Sequence, residues 1–282
     1  MNKPATFSVF LRSLGFVCLF LAMMIAAVYV VAADDAYYYE CQRRADILPS
    51  SGISDEALKD LDARLSRYLC RHDEAALCPD SVLQLDVFGV RQPAFNEREM
   101  THLLDCAELF DTASACLCLF CAAAVLLIVL SGRPRPRDSA CAAAFAVFML
   151  ACRMLRLERL AAASALAAMF LALRGQTGRA RPAWFALTLV LLPFTVFAVW
   201  ACLDFDAAFT FFHRRLFSND LWLLDPRTDL LIRICPESMF MSMGLRIALT
   251  SAGALVGIPL LLTLWDTLQQ RQITFHAGGT SQ

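Results

Sequence analysis

Two histidines stand where acid–base chemistry on a lipid would need them. His102 and Asp105 are three residues apart, so on a helix they share one face. A carboxylate beside an imidazole fixes its tautomer and raises its basicity. The second histidine closes the run Leu203-Asp-Phe-Asp-Ala-Ala-Phe-Thr-Phe-Phe-His213. There Asp204 and Asp206 follow an apolar stretch, and Phe205, Phe209 and Phe212 keep helical spacing. Beyond it come Phe217, Asn219, Trp222 and Asp225. Paired histidines between aromatic walls at a lipid boundary point to proton transfer on a lipid group. A polar interfacial turn and an aromatic belt are the bland alternatives. The chain has four histidines; His72 falls in a polar loop and His276 in the tail, and neither is assigned a role. No Gly-x-Ser-x-Gly elbow supplies an enzyme nucleophile.

The elements that must carry these residues are mostly membrane helices. Of the 282 residues 59 % are apolar and 18 % charged, and mean hydropathy is +0.55, against roughly 45–50 % apolar in a soluble domain. A disordered chain, a nucleic-acid binder and an ordinary cytosolic enzyme are excluded. Four runs reach spanning length: 13–33, 112–130, 183–203 and 245–265. The first is longer than a signal-peptide core and reads as a retained anchor. Arg246, at the edge of the fourth, is expected to snorkel. Lys3, Arg12, the run Ser131-Gly-Arg-Pro-Arg-Pro-Arg137, Arg174, Arg179 and Arg181 mark the cytoplasmic side. Both termini are then cytoplasmic, with 266–282 as the tail. Residues 34–111 and 204–244 form an outer cap. The net charge of −1 hides a segregation, since residues 34–108 hold 16 acidic and 8 basic side chains.

Within the cap, Ser54 reads as the N-cap of a helix carrying Leu58, Leu61, Leu65, Tyr68 and Leu69. Val82–Phe88 reads as a short strand before Gly89. A second helix begins near Ala94 and runs into the second span. The basic loop 131–182 contains an Ala-rich apolar stretch, 140–173, interrupted at Arg153, Arg156, Glu158 and Arg159. It is expected to be a helical hairpin at the inner leaflet, with two short spans as the alternative. Cys116, Cys118 and Cys121 read as packing residues in lipid. A cap disulfide among Cys41, Cys70, Cys78, Cys106 and Cys235 stays open. The fold class is a mainly α membrane protein with four transmembrane helices, a cap of short helices with a little strand, and a helical insertion.

The residues around the histidines resemble a known family. Asn96-Glu-Arg-Glu99 followed by His102-Leu-Leu-Asp105 is similar to its Asn-x-x-Glu-x-x-His-Met-x-Asp motif. Asp204 through His213, Asn219, Trp222, Asp225-Pro, Asp229-Leu-Leu-Ile and Pro236-Glu237 resemble its second block. The family is the bacterial lipoprotein intramolecular transacylase (Lit), and the resemblance covers most of the chain outside 131–182. Leu103 replaces a Met, Cys106 stands where Val is common, and 140–173 has the look of an insertion.

The resemblance implies a site at the outer face of the bacterial cell membrane. The sn-2 acyl chain of a diacylglyceryl lipoprotein would move to the α-amino group of its N-terminal cysteine, giving a lyso-form lipoprotein. His102 and His213 would be catalytic, one taking the amine proton and the other protonating the departing glyceryl oxygen. Asn96, Glu99, Asp105, Asp204, Asn219 and Asp225 would orient them or the substrate, with Asn96, Asn219 or backbone amides as oxyanion donors. Phe205, Phe209, Phe212, Phe217 and Trp222 would wall a bent substrate and exclude water. No metal or other cofactor is called for; the partners are the lipoprotein and membrane lipid, not nucleic acid. Two rivals remain: a metal-dependent lipid hydrolase using His102, Asp105, Glu108 and His213, and a non-enzymatic lipid-binding or assembly protein.

Overall fold

The structure, a computed structural model, describes residues 5–71, 73–77, 83–132, 138, 140–144, 146–147, 158–173 and 178–278. In chain order these form α1 (Ala5–Ala32), α2 (Asp35–Arg44), α3 (Leu48–Ser51), α4 (Asp55–Arg71), α5 (Glu74–Leu77), β1 (Gln84–Val87), β2 (Val90–Pro93), α6 (Glu97–Ser131), α7 (Glu158–Leu173), α8 (Ala180–Leu203), α9 (Phe205–Leu216), α10 (Leu230–Ile234) and α11 (Glu237–Gly278). Four helices, α1, α6, α8 and α11, are long and apolar enough to cross a membrane. In α6 the stretch Thr112–Ser131 is charge-free and long enough to span. The first turns of α6 carry Glu97, Arg98, Glu99, Asp105, Glu108 and Asp111, charges that hydrocarbon disfavours. The chain divides into two compact units: residues 1–25, 115–198 and 251–282, and residues 26–114 and 199–250.

The first unit packs apolar helix faces. Phe16, Phe20, Ile128, Leu187, Val190 and Leu255 are buried together with Ala168, Ala172, Ala183 and Ala186. Without a hydrophobic drive between helices in lipid, small residues matter because they let backbones approach. At Gly15 an added Cβ would come within 2.8 Å of Ile128 Cγ1, so only glycine fits where α1 crosses α6. The helix ends carry the polar contacts. Arg12 Nε donates to Ser131 Oγ (3.3 Å) and its Nη1 to the Gly178 carbonyl (3.2 Å). Arg179 pairs with Asp266 at 3.0 Å and lies over the Trp265 ring. Of the expected hairpin at 140–173, residues 158–173 are helix, while 148–157 fall outside the described residues, as do His72 and Cys78.

The second unit is a small amphipathic assembly. The Ala57 amide donates to Ser54 Oγ at the start of α4 (3.2 Å), whose Leu58, Leu61, Leu65 and Tyr68 enter a core with Ile53, Phe95, Leu103, Leu230 and Ile234. The strand foreseen at 82–88 is β1, and it has a partner that the sequence reading lacked. β1 and β2 form an antiparallel hairpin with Gln84 opposite Pro93 and Val87 opposite Val90. Its two-residue turn puts Phe88 and Gly89 at φ 53° and 81°, the left-handed pair that a tight hairpin requires. α2 is a further addition: Asp34 caps it by accepting from the Tyr37 amide. Arg246 does not merely snorkel, because it pairs with Asp34 at 2.7 Å and sits 4.1 Å over the Tyr37 ring. The described cysteines are free thiols, Cys41, Cys70, Cys106 and Cys235 included.

Candidate active site

The site is assembled on the polar beginning of α6. Asn96 and Glu99 form a reciprocal capping box: the Glu99 amide donates to Asn96 Oδ1 (3.0 Å) and the Asn96 amide to Glu99 Oε2 (2.8 Å). Both side chains then reach the segment after α9. Asn96 Nδ2 donates to Asp229 Oδ1 (2.8 Å), and Glu99 Oε1 accepts from the Leu231 amide (2.7 Å). One step of three further on, His102 meets α9. The next step brings Asp105, whose Oδ2 accepts from Asn219 Nδ2 (2.9 Å). The 99–231 and 105–219 ties bracket the histidine and fix its height.

His213 comes from α9, which Asp204 caps by accepting from the Ala207 amide (3.1 Å). His213 is 8 % exposed and His102 7 %, and their ring centroids are 6.1 Å apart. His213 Nδ1 lies 2.8 Å from the Phe209 carbonyl. A carbonyl only accepts, so Nδ1 carries the proton and Nε2 keeps a lone pair. His102 Nδ1 is buried without a hydrogen-bond partner among the described residues, and its Nε2 lies 3.7 Å from Cys106 Sγ.

Burial pushes His102 down to about 4, helped by His213 and opposed by Asp105. Burial also lowers His213, with the Phe209 carbonyl acting in the other direction. Both rings are therefore neutral at pH 7. Burial raises Glu99 against the opposing pull of the Leu231 and Asn96 amides.

The aromatic residues divide into two ranks. Phe209 (3.9 Å), Trp222 (4.9 Å), Phe212 (5.5 Å) and Phe217 (5.6 Å) surround the His213 ring. Phe217 also meets His102 edge-on at 5.1 Å. Phe205 stands one ring further out, against Phe209 at 5.5 Å. Phe240 of α11 backs Phe209 at 5.8 Å, and nothing in its spacing singled it out.

Three expected neighbours stand elsewhere. Asp105 accepts from Asn219, and its influence on His102 is through charge. Asp204 caps α9 and borders an open groove of about 670 Å³, with Trp200, Asp206 and Arg214, on a different face of that helix; neither histidine lines it. Asp225 turns its carboxylate to Arg227 at 2.7 Å. Both asparagine amides are struts to carboxylates, Asn96 to Asp229 and Asn219 to Asp105. Asp229 was missed as a site residue, although an Asp directly before Leu-Leu-Ile is a helix-start signal. Cys106 was weighed as a departure from the family pattern and as a disulfide candidate, not as a neighbour of His102. Among the described residues, no three His, Cys, Asp or Glu side chains converge closely enough to hold a metal ion.

The family model of lipoprotein intramolecular transacylase Lit matches residues 13–240. No curated protein matches the chain. Among solved structures, the membrane-integral lipoprotein intramolecular transacylase Lit from Bacillus cereus is similar with a TM-score of 0.55 at 16 % identity, covering 95 % of this chain and 98 % of that one. A histidine-to-arginine variant of the same protein gives 0.57 at 15 % identity over 95 % and 94 % of the two chains. A histidine-to-alanine variant gives 0.53 at 16 % over 95 % and 96 %. At these identities the structural likeness concerns the fold.

Proposed function

The chain belongs to the lipoprotein intramolecular transacylase (Lit) family, and from this we propose that it moves the sn-2 acyl chain of a diacylglyceryl lipoprotein to the α-amino group of its N-terminal cysteine, using His213 and His102. It is an acyltransferase of the membrane. The flanking basic residues favour cytoplasmic termini and a site on the outer face.

The amine attacks the ester carbonyl as its free base, and the new C–N bond leaves a tetrahedral centre with a protonated nitrogen. His213 Nε2 takes that proton. The C–O bond to glycerol then breaks, and the same His213 returns the proton to the departing glyceryl oxygen. One amide and one hydroxyl replace one ester and one amine, so no water, cofactor or outside proton is consumed. His102 does not need to give up a proton, which would be costly for a neutral imidazole. It serves instead as a neutral hydrogen-bond donor to the oxyanion through Nδ1. This division replaces the one-acid, one-base scheme drawn from the sequence. Donor and acceptor belong to one molecule, so holding them in a bent pose supplies much of the rate. Phe209, Phe212, Phe217 and Trp222 keep water from the ester.

The observation that carries this reading is the hydrogen bond from His213 Nδ1 to the Phe209 carbonyl, which leaves Nε2 as a lone-pair base beside His102. The test is mass spectrometry of a diacylglyceryl lipopeptide incubated with the purified protein. Transfer keeps total mass and moves one acyl mass from the glyceryl fragment to the amine. Retained transfer in a folded His213→Gln variant overturns the assignment. Loss of an acyl mass indicates a hydrolase, and no change a binding protein.

A further inference from the structure

The tautomer of His102 decides whether it can donate to an oxyanion, and the residue that sets it is one helical turn away. Its Nδ1 is buried and has no partner among the described residues. Its Nε2 faces the Cys106 sulfur at 3.7 Å. A neutral imidazole carries one proton, which leaves two arrangements. Either Nε2–H points at sulfur and Nδ1 keeps a lone pair, or the thiol donates to Nε2 and Nδ1 keeps the proton. Sulfur accepts weakly, whereas an imidazole nitrogen accepts well, and this selects the second. Burial, with Asp105 adding to it, pushes the thiol up to about 12, so the S–H proton is present at any working pH.

We propose that Cys106 is a positioning residue whose thiol donates to Nε2 of His102 and holds the ring in its Nδ1–H form. The use of that Nδ1–H for the oxyanion rests on the function proposed above; the tautomer itself does not. The arrangement complements His213, where a backbone carbonyl takes the Nδ1 proton and frees Nε2. Two rings of the same type are given opposite duties by what touches one nitrogen of each.

The experiment uses full-length protein labelled with 15N-histidine in detergent micelles, with the His102 signals identified by their loss in His102→Gln. Protonated and unprotonated ring nitrogens give well-separated shifts. Wild type is expected to show a protonated Nδ1 and a bare Nε2. In Cys106→Val the two forms mix, and in Cys106→Ser the hydroxyl restores the first. Transacylation follows the same order: kcat falls about five- to tenfold in the Val variant, the worth of one modest hydrogen bond, while KM holds and Ser recovers the rate. A protonated Nε2 in wild type, or an unchanged tautomer in the Val variant, overturns the proposal. The wild-type spectrum decides alone if the Val variant does not fold. Transfer persisting in His102→Gln and His213→Gln would instead overturn the catalytic reading and leave the tautomer result standing.

Discussion

Each unit of the molecule buries a polar cluster, and the two are finished to different degrees. In the first unit Arg179 is 1 % exposed and well satisfied. Its Nε and Nη2 donate to Asp266 Oδ1 at 3.2 and 3.0 Å, its Nη1 to the Leu173 carbonyl at 2.9 Å, and its own amide to Asp266 Oδ2 at 2.8 Å. In the second unit the histidine pair is also buried, at 7 % and 8 % exposed, yet among the described residues one nitrogen of His102 has no partner. Buried polar groups are nearly always paired. A complete cluster is a fastener, and an incomplete one held in place by complete neighbours is where a substrate can supply the missing bond. The Asn96–Glu99–Asp229 and Asp105–Asn219 ties are those complete neighbours.

The sharpest way to separate the two is to alter each and read activity and stability together. His213→Gln is expected to lower turnover by about 10³-fold or more, the upper range of general-base contributions, with thermal unfolding nearly unchanged. His102→Gln, which removes an oxyanion donor, is expected to cost roughly 10²–10³-fold in the same lipopeptide assay. Arg179→Met should do the reverse. It takes the guanidinium from the half-buried Asp266, which keeps only its backbone donors, for a stability loss of about 3 kcal/mol, the low end for breaking a buried pair, while turnover per folded molecule holds. Stability matching wild type in that variant would break the distinction.

Asp62 sharpens the comparison from another side. It is 1 % exposed, and its Oδ1 accepts from Gln42 Nε2 at 3.0 Å, but among the described residues Asp62 Oδ2 and Gln42 Oε1 have no partners. Burial pushes it up to about 7, from 3.8. Its folded-state pKa therefore exceeds the unfolded one. Its contribution is whole below about pH 4 and is lost as pH rises toward 7. Asp62→Asn is expected to leave stability at pH 4 nearly unchanged. At pH 8 it should raise stability by something on the order of 2 kcal/mol, read by thermal unfolding at the two pH values. Unchanged activity would mark this pair as unfinished but outside the chemistry. The smallest effect is on the pH profile. Burial holds both histidines below the usual value of 6.5, so kcat should hold as pH falls to 6.5 and decline only at lower pH.

What could be read from the sequence followed the physics of each region. Four apolar runs, with one charge at an edge (Arg246), signal membrane helices because hydrocarbon tolerates little else, and α4 declares itself through Leu58, Leu61 and Leu65. α2 was hidden because Asp-Ala-Tyr-Tyr-Tyr-Glu has no apolar period. β2 was hidden because Val-Arg-Gln-Pro has no alternation. At the site, the shared depth of His102 and His213 was legible from their places at the ends of apolar runs. Spacing also set Asp105 beside His102, but spacing gives a face and not a partner, and Asn219 arrives from more than a hundred residues away to take the carboxylate. The two tautomers were illegible, since one depends on the Phe209 carbonyl and the other on a thiol with no motif.

The steps of three along α6 have a mechanical consequence. Each step climbs about 4.5 Å and turns back about 60° around the axis. Asn96 and Asp105 consequently face opposite sides of the helix, and the segment that meets them, from 213 to 231, winds around it like a nut on a thread. Removing one residue between Glu99 and Asp105 would turn the remainder by about 100° and shift it by about 1.5 Å, so every tie beyond the cut would miss its mate. This stretch can exchange its residues, but it cannot change its length.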